Sequence, residues 1–323
     1  MSVLLICDAS VTRGSGHFMR MVTLATAIMK NGHNAEILMH ECPPFAYQIL
    51  KQSRITLRQR SKPQSSDLLD EDVPVKVYEM IVFDGYDFQY APLLRLYERG
   101  EKVVVWDDNG ENSDLPCHII YNQNMHADPS DYSGNHFAPK LALGTRYALI
   151  REGILGGRER SYNQRNSILV SVGGTDSLGL SSKIMELVGS VTTCPVLLAR
   201  GFAKSPLEAM RHMEDSVKSS MGAVIACGTT TWEMMAAGVP FVGVVTVDNQ
   251  ERIGQSLTLN NLASVVDYRS KEFLRNLRYE ISRLTEITSS QNSWERASAE
   301  IQRVVDGNGA IRTLELAREF LNL

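Results

Sequence analysis

The first 32 residues contain the pattern that most restricts the fold: a strand, a glycine loop and an amphipathic helix. The apolar run Leu4 to Cys7 ends at Asp8, and the loop that follows carries Gly14 and Gly16. Apolar residues then recur at helical spacing over 21–28, and Asn31-Gly32 supplies a stop signal. This order predicts a strand–loop–helix unit of an open α/β sheet, where ligands bind at the carboxyl ends of the strands.

The loop places His17 and Arg20 in the first turn of that helix. Residues three apart share a helix face, so both side chains can face one cleft. The dinucleotide fingerprint does not fit, because Met19 stands where the third glycine is needed, and the Gly-Lys-Ser/Thr of a phosphate loop is absent. Gly14, Gly16, His17 and Arg20 are therefore candidate ligand-binding residues. The alternative is a solvated histidine in a helix's first turn.

Short apolar runs alternate with helical patterns along the chain, which predicts βαβ units and mainly parallel sheets. In the first half, polar residues follow three predicted strands: Asp8, then Asp84 with Tyr86, then Asp107 with Asp108. Because parallel strands share a carboxyl edge, we expect these side chains to face one crevice. For each aspartate, ordinary loop capping is the alternative.

The length of 323 residues allows roughly two domains. The glycine-rich, charged stretch at 153–166 is predicted to be a linker. It would separate an N-terminal Rossmann-like domain over 1–152 from a C-terminal Rossmann-like domain over 167–323. The polar segment 61–75 is predicted to be a surface loop, and the last ~35 residues are predicted to be helical from their apolar spacing.

In the second half, Gly228 and three threonines open a helix, Thr229, Thr230 and Thr231. Backbone N–H groups and the positive end of the helix dipole make such a start a site for anions, and the hydroxyls add donors. Glu233 has two interpretations: a capping box with Thr230, or a carboxylate that takes ribose hydroxyls behind a phosphate site.

Two further polar motifs follow strands in this half. Gly174 and Thr175 lie in a glycine turn that is either a plain turn or a point of close approach to a ligand. Asn249 and Gln250 are either helix-start residues or amide partners for sugar hydroxyls and acetamido groups.

Composition excludes several classes. The net charge of −4 gives no footprint for nucleic acid, and no apolar run reaches the ~20 residues of a membrane helix. We see no signal peptide, and the five scattered cysteines are typical of buried thiols in a reducing cytoplasm. The histidines lack metal-ligand spacing, so no dedicated metal site is expected. No other cofactor is expected either.

Together these motifs resemble the GT-B nucleotide-sugar fold, with the lipid II glucosaminyltransferase (MurG-type) branch nearest. More specifically, the chain resembles the pseudaminic acid pathway UDP-sugar hydrolases and the related spore-coat polysaccharide proteins. The resemblance extends from residue 3 to about 255. It rests on Asp8, Gly14 to Arg20, Asp84-Gly85-Tyr86, Asp107-Asp108, Tyr147 to Arg151, Gly173 to Asp176, Thr229 to Glu233 and Asn249-Gln250. The stretch from Gly228 to Trp232 departs from the family's more usual serine-rich version.

The resemblance implies two Rossmann-like domains with mainly parallel sheets facing across a cleft. It also implies a cytoplasmic, metal-independent hydrolase that acts on a UDP-linked 2,4-diacetamido-2,4,6-trideoxy sugar. Water would attack the anomeric carbon with inversion, UDP would leave, and His17 would be the catalytic base, kept neutral by the helix dipole. The implied substrate-binding residues are Gly14, Gly16, Arg20, Tyr86, Gly174, Thr175, Thr229, Thr230, Thr231, Glu233, Asn249 and Gln250. Of these, Tyr86, Asn249 and Gln250 are expected at the sugar.

Two other functions remain open at this point. A glycosyltransferase of the same fold would pass the sugar to an acceptor hydroxyl rather than to water. A non-catalytic protein would only bind the nucleotide sugar. Detecting UDP release without any acceptor separates these classes.

Overall fold

The computed structural model describes residues 1–7, 15–60, 77–85, 90–110, 114–173, 176, 178–199 and 206–322. These residues form two compact units. The first domain is Met1–Leu149 together with Asn308–Leu323, and the second domain is Ile150–Gly307. Within the described ranges, no helix is both long enough and apolar enough to cross a membrane.

The first domain is built on a parallel sheet, in which seven strands are described. Its strands are β1 (Ser2–Cys7), β2 (Asn34–Met39), β3 (Thr56–Gln59), β4 (Met80–Asp84), β5 (Val103–Trp106), β6 (Ile119–Asn122) and β7 (Lys140–Leu143). The helices between them are α1 (Gly16–Lys30), α2 (Pro44–Ser53) and α3 (Tyr90–Glu98). The strand order is β3-β2-β1-β4-β5-β6-β7, which makes β1, β4 and β5 neighbours.

The central strands of this sheet are buried throughout. All five residues of β4 are buried, as are all four of β5. Such continuous apolar runs are typical of parallel strands covered on both faces. Helix α1 packs on β1 and β2 through an apolar stripe that includes Phe18, Leu24 and Ile28. Only the ends of the strands are therefore available for polar chemistry.

The second domain repeats this architecture around a parallel sheet with five described strands. Its strands are β8 (Ser167–Ser171), β9 (Val196–Leu198), β10 (Ser220–Ala226), β11 (Phe241–Val245) and β12 (Ser264–Asp267). Its helices are α4 (Glu152–Leu155), α5 (Leu180–Val191), α6 (Pro206–Ser219), α7 (Thr229–Ala237), α8 (Glu251–Leu259), α9 (Phe273–Thr288) and α10 (Gln291–Val304). The strand order is β12-β11-β10-β8-β9, with β10 in the centre.

The domain boundaries differ from those predicted from composition. The last helix, α11 (Gly309–Leu321), belongs to the first domain, where it packs on α1 and on the 3₁₀ turn Thr145–Tyr147. Composition missed this, because an amphipathic helix does not reveal which core it covers.

The predicted linker 153–166 is a packed part of the second domain. It contains most of α4, where Ile154 is fully buried against α6 and α7. It also contains Arg165, whose buried guanidinium donates to the backbone carbonyls of Val217 and Ser220 at 3.1 and 2.8 Å. The charged residues and glycines of this stretch suggested a linker, but in the structure the stretch is packed inside the second domain.

Other sequence expectations have mixed outcomes. The parallel α/β architecture is confirmed, and most predicted strands agree with the structure to within a few residues. Strands β3, β7 and β12 were not predicted, because each has only four residues and weak apolar alternation. The predicted surface loop at 61–75 lies outside the described residues.

Candidate active site

The first domain brings together a histidine and two aspartates at one edge of its sheet. His17 lies in the first turn of α1, after β1, while Asp84 ends β4 and Asp108 follows β5. Because β1, β4 and β5 are adjacent and parallel, their carboxyl ends meet. The expectation of one shared edge is confirmed for Asp84 and Asp108, whereas Asp8 lies outside the described residues.

The His17 ring contacts the buried Asp84 carboxylate. The distance from Nδ1 to Asp84 Oδ1 is 2.7 Å, and 16% of the His17 side chain is exposed. Burial acts to raise the pKa of Asp84, but the nearby Arg20 guanidinium and His17 ring outweigh it and hold that pKa below its usual value. An ionised carboxylate only accepts hydrogen bonds, so this contact is a hydrogen bond when Nδ1 carries the proton; a second donor, Arg20 Nη2, lies 3.1 Å from the same Nδ1. In the neutral ring protonated at Nδ1, Nε2 holds the lone pair.

Arg20 lies between the two aspartates and has a role that differs from the predicted one. Its Nε donates to Asp84 Oδ2 at 2.8 Å, and its Nη1 donates to Asp108 Oδ1 at 2.7 Å. Its Nη2 reaches both carboxylates, at 2.5 and 3.0 Å. The side chain is buried, and its nitrogens are engaged with Asp84 and Asp108. Arg20 therefore orients the two aspartates and is not placed to bind substrate directly.

The charges in this cluster do not cancel. Among the described residues of the cluster, Asp84 and Asp108 supply two carboxylates against the guanidinium of Arg20, which leaves one surplus negative charge beside the His17 ring. Protonation of His17 would balance the set. Asn124 also supports Asp108, because its Nδ2 donates to the Asp108 backbone carbonyl at 3.1 Å. The arrangement can orient a proton acceptor and stabilise its charged form.

The Asp107 side chain lies in a different environment from that of its neighbour Asp108. Its Oδ1 accepts from the backbone N–H groups of Asn109 and Gly110 at 3.2 and 3.3 Å. Its Oδ2 is buried and has no hydrogen-bond partner in the described part of the chain. Burial raises the pKa of Asp107 despite those two amides. Its carboxylate thus accepts from its own loop, while its backbone N–H donates to the carbonyl of Tyr121 at 2.9 Å.

In the second domain, α7 begins directly after the central strand, as the sequence predicted. Gly228 precedes the helix, and no described atom lies within 4 Å of the position that a Cβ would take there. Thr229 and Thr230 are partly exposed, whereas Thr231 is fully buried. The first two threonines can therefore meet a ligand at this helix start, while burial keeps the hydroxyl of Thr231 away from solvent.

Glu233 forms a buried ion pair instead of a capping box. Arg151 Nε donates to Glu233 Oε1 at 2.6 Å, and Arg151 Nη2 donates to Oε2 at 2.8 Å. The helix has Gly228 at its N-cap, with no side-chain cap. The capping-box interpretation with Thr230 is therefore wrong, since both oxygens of Glu233 face a guanidinium. Burial acts to lower the pKa of Arg151, but Glu233 outweighs it and the net shift is upward.

The amide pair after β11 lies in a short 3₁₀ turn, Asp248–Gln250. Gln250 Oε1 accepts from the N–H and the hydroxyl of Thr246 at 2.9 and 3.0 Å, so its carbonyl holds the turn together. Asn249 is exposed. In the turn after β8, Asp176 Oδ1 accepts from Leu180 N at 2.8 Å and caps α5.

Several predicted site residues lie outside the described residues. They are Asp8, Gly14, Tyr86, Gly174 and Thr175. Gly16 is described and is the first residue of α1. Among the described residues, no group of three or more His, Cys, Asp and Glu side chains is arranged to hold a metal ion.

Sequence reasoning missed the roles of Arg151 and Asn124. Arg151 was noted only as the end of a motif, and its partner Glu233 is 82 residues away. Asn124 follows β6, so the rule that flagged Asp84 and Asp108 could also have flagged it. Its position just after a predicted strand was the signal in the sequence that could have identified Asn124.

No protein-family model matches the sequence. The spore coat polysaccharide biosynthesis protein SpsG of Bacillus subtilis (strain 168) is 20% identical over 352 residues, spanning 99% of this chain and 98% of that protein.

Solved structures extend the likeness at the level of fold. MurG of Acinetobacter baumannii has a TM-score of 0.62 at 12% identity, covering 99% of this chain and 100% of that one. MnaA of S. aureus, solved with UDP, has a TM-score of 0.65 at 11% identity, covering 100% and 98%. At these identities the likeness shows the fold alone, which is the GT-B pairing of two Rossmann-like domains.

Proposed function

We propose that this protein hydrolyses a UDP-linked 2,4-diacetamido-2,4,6-trideoxy sugar, releasing UDP and the free sugar with inversion at the anomeric carbon. The observation that carries the proposal is the 2.7 Å contact between His17 Nδ1 and the buried Asp84 carboxylate. A carboxylate-paired imidazole is an arrangement suited to general-base catalysis. SpsG, by its name, acts in polysaccharide biosynthesis, and MnaA, with the same fold, was solved with UDP.

In this scheme His17 accepts a proton from the attacking water at Nε2. Asp84 holds Nδ1–H and so fixes both the tautomer and the orientation of the ring. The new positive charge is balanced by the surplus carboxylate among Asp84, Asp108 and Arg20. A bond forms between the water oxygen and the anomeric carbon as the bond from that carbon to the diphosphate oxygen breaks. UDP leaves with the electron pair of the broken bond.

The second domain is assigned to the nucleotide. The start of α7 would bind the diphosphate through backbone N–H groups and the hydroxyls of Thr229 and Thr230. Glu233 would accept hydrogen bonds from ribose. Gly174 and Thr175 remain proposed contacts of the diphosphate, on sequence grounds.

The sugar is assigned to Asn249, Gln250 and Tyr86. Asn249 is exposed, whereas the carbonyl of Gln250 is already engaged with Thr246, which leaves its amide N–H groups for a ligand. Substitution of Asn249 by alanine should slow turnover and leave the affinity for free UDP near that of the wild type. An equal loss of both would assign it to the nucleotide instead.

A glycosyltransferase is the second candidate, since a carboxylate-paired histidine can deprotonate an acceptor hydroxyl as well as water. The deciding experiment is incubation of the protein with a panel of UDP-sugars and no acceptor, following UDP release and the anomeric product by NMR. Inverted free sugar with stoichiometric UDP supports the hydrolase. Release that occurs only after a sugar acceptor is added supports the transferase, and no release with either contradicts both.

A further inference from the structure

The Arg151–Glu233 pair is a buried ion pair of the second domain with two hydrogen bonds. Two parallel hydrogen bonds of 2.6 and 2.8 Å join Nε and Nη2 to the two carboxylate oxygens. Both side chains are almost entirely buried. This geometry fixes the carboxylate plane as well as its charge, which a lysine at the same position cannot do.

The pair lies close to the start of α7. Glu233 is the fifth residue of that helix, about one turn beyond the start assigned to the diphosphate. Arg151 precedes α4, and α4 packs against α7 within the same domain. The carboxylate is thus held by an element other than its own helix, so its position does not depend on α7 alone.

A second carboxylate lies near Arg151 without sharing its hydrogen bonds. Glu214 of α6 packs so closely on Gly153 that a Cβ there would lie 2.0 Å from Glu214 Oε2. Burial raises the pKa of Glu214, although Arg151 and Lys218 act against that rise. Glu233, not Glu214, takes the two described hydrogen bonds of the guanidinium. Glu214 therefore provides a matched comparison for any substitution at Glu233.

We propose that Arg151 is the positioning residue that makes the nucleotide site select ribonucleoside diphosphates over their 2′-deoxy counterparts, by fixing Glu233 as the acceptor for ribose hydroxyls. This inference rests on the assignment of the α7 start to a nucleoside diphosphate. The substrate class that this inference gives the protein is therefore a ribonucleoside diphosphate sugar.

The lone pairs of the carboxylate allow this role. A carboxylate offers about four acceptor positions, and Arg151 occupies one on each oxygen. A remaining position on each oxygen can accept a hydroxyl of a ribose cis-diol without displacing Arg151. Removing one hydroxyl leaves one acceptor position of the charged carboxylate unfilled, which we expect to weaken binding by about tenfold or more. Without the fork of Arg151, Glu233 would not keep the orientation that this selection needs.

The test is calorimetric titration of the full chain with UDP and with 2′-deoxy-UDP, using the wild type, Arg151→Gln and Arg151→Lys. The wild type should bind UDP about tenfold or more tightly than 2′-deoxy-UDP. In both variants this ratio should fall to within about twofold, because affinity for UDP drops while affinity for 2′-deoxy-UDP changes little. A purely structural role would lower both affinities equally and leave the ratio intact, which would overturn the proposal.

Glu214→Gln is the matched control and should keep the wild-type ratio of affinities for UDP and 2′-deoxy-UDP. If it abolishes that ratio, Glu214 is the residue that recognises the ribose hydroxyl, and Arg151 does not act by positioning Glu233. Should Arg151→Gln fail to fold because Glu233 is left buried and unpaired, Arg151→Lys, which keeps a positive charge beside Glu233, provides the same measurement. A wild type that binds UDP and 2′-deoxy-UDP equally overturns this inference and leaves UDP binding standing. A wild type that binds neither overturns the nucleotide assignment itself.

Discussion

The two domains each bury an arginine against carboxylates near the end of a parallel strand, yet they balance charge differently. In the first, Arg20 serves both Asp84 and Asp108, so the set keeps a surplus negative charge next to a histidine ring. In the second, both described carboxylate hydrogen bonds of Arg151 go to Glu233, and Glu214 lies near Arg151 and Lys218 without sharing those bonds. An unbalanced cluster favours the uptake of a proton, whereas a balanced pair presents oriented acceptors to neutral hydroxyls. In the function proposed above, the same two residue types therefore serve catalysis in one domain and recognition in the other.

The largest expected effect comes from His17→Asn, which removes the proposed proton acceptor. Turnover of the UDP-sugar should fall by about 10²–10⁴-fold, as for the loss of a general base. UDP affinity should stay near that of the wild type, because the nucleotide is assigned to the second domain. Initial rates of UDP release and calorimetric titration with UDP measure the two quantities.

His136→Asn is a suitable control for His17→Asn. His136 also contacts an aspartate through Nδ1, Asp114 at 3.1 Å, but 84% of its side chain is exposed. Its substitution should leave turnover unchanged. Near-normal turnover in His17→Asn would make His17 a structural residue and remove the main support for a hydrolase.

The next effect concerns the stability that Asp84 contributes. Asp84→Asn should lower the free energy of unfolding at pH 7 by about 3 kcal/mol, since it takes one partner from a buried ion pair. The pKa of Asp84 is depressed in the folded state, so its contribution is present above the unfolded value of ~3.9 and is lost as the pH falls below it. Urea unfolding should show that the difference in the free energy of unfolding between wild type and variant is smaller at pH 3 than at pH 7. A difference that grows in acid would contradict the ion pair.

Arg20→Lys tests whether the two arginines differ in role or only in place. Lysine keeps the charge but lacks the planar fork that makes four hydrogen bonds to the two carboxylates, so we expect a loss of about 2 kcal/mol in transition-state stabilisation. The ratio of affinities for UDP and 2′-deoxy-UDP should not change. Arg151→Lys should do the reverse, so measuring kcat and both affinities for the two variants separates the domains. Matching profiles would abolish the distinction drawn between them.

The smallest effect is expected at Asp107, whose environment opposes ionisation. Its pKa is raised by burial, so the folded protein loses stability as the pH rises above the unfolded value of ~3.9. Asp107→Asn keeps an oxygen for the N–H groups of Asn109 and Gly110 and removes the buried charge. Thermal unfolding at pH 7 should therefore show that the variant's free energy of unfolding is about 1 kcal/mol higher than that of the wild type. This gain should shrink toward pH 4. A loss at pH 7 would assign Asp107 to the charged cluster.

Local sequence pattern was enough to find the parts of the first-domain cluster. Strand-length apolar runs located the ends at Asp84 and Asp108, and helix periodicity put His17 and Arg20 on one face. Their hydrogen bonds were not predictable, because strand order is a long-range property that periodicity does not encode. The burial of Arg20 between two carboxylates therefore changed its predicted role from ligand binding to orientation.

At Glu233 the local pattern was misleading. Thr230-x-x-Glu233 matches a capping signature, but a partner 82 residues away competes for the same carboxylate and wins. A buried guanidinium with two hydrogen bonds outweighs a cap at a helix start that has Gly228 instead. Arg151 left no short-range signal of this pairing.

The position of α11 affects how the chain acquires its structure during synthesis. Residues 150–307 form one continuous segment, whereas the first domain is completed only by residues 308–323. The hydroxyl of Tyr121 donates to the carbonyl of Thr313 at 2.9 Å, and Arg312 donates to the carbonyl of Arg146 at 3.0 Å. We therefore expect that, on the ribosome, the domain that is translated first finishes folding last. Protease digestion of nascent chains of increasing length should show residues 150–307 becoming resistant before residues 1–149.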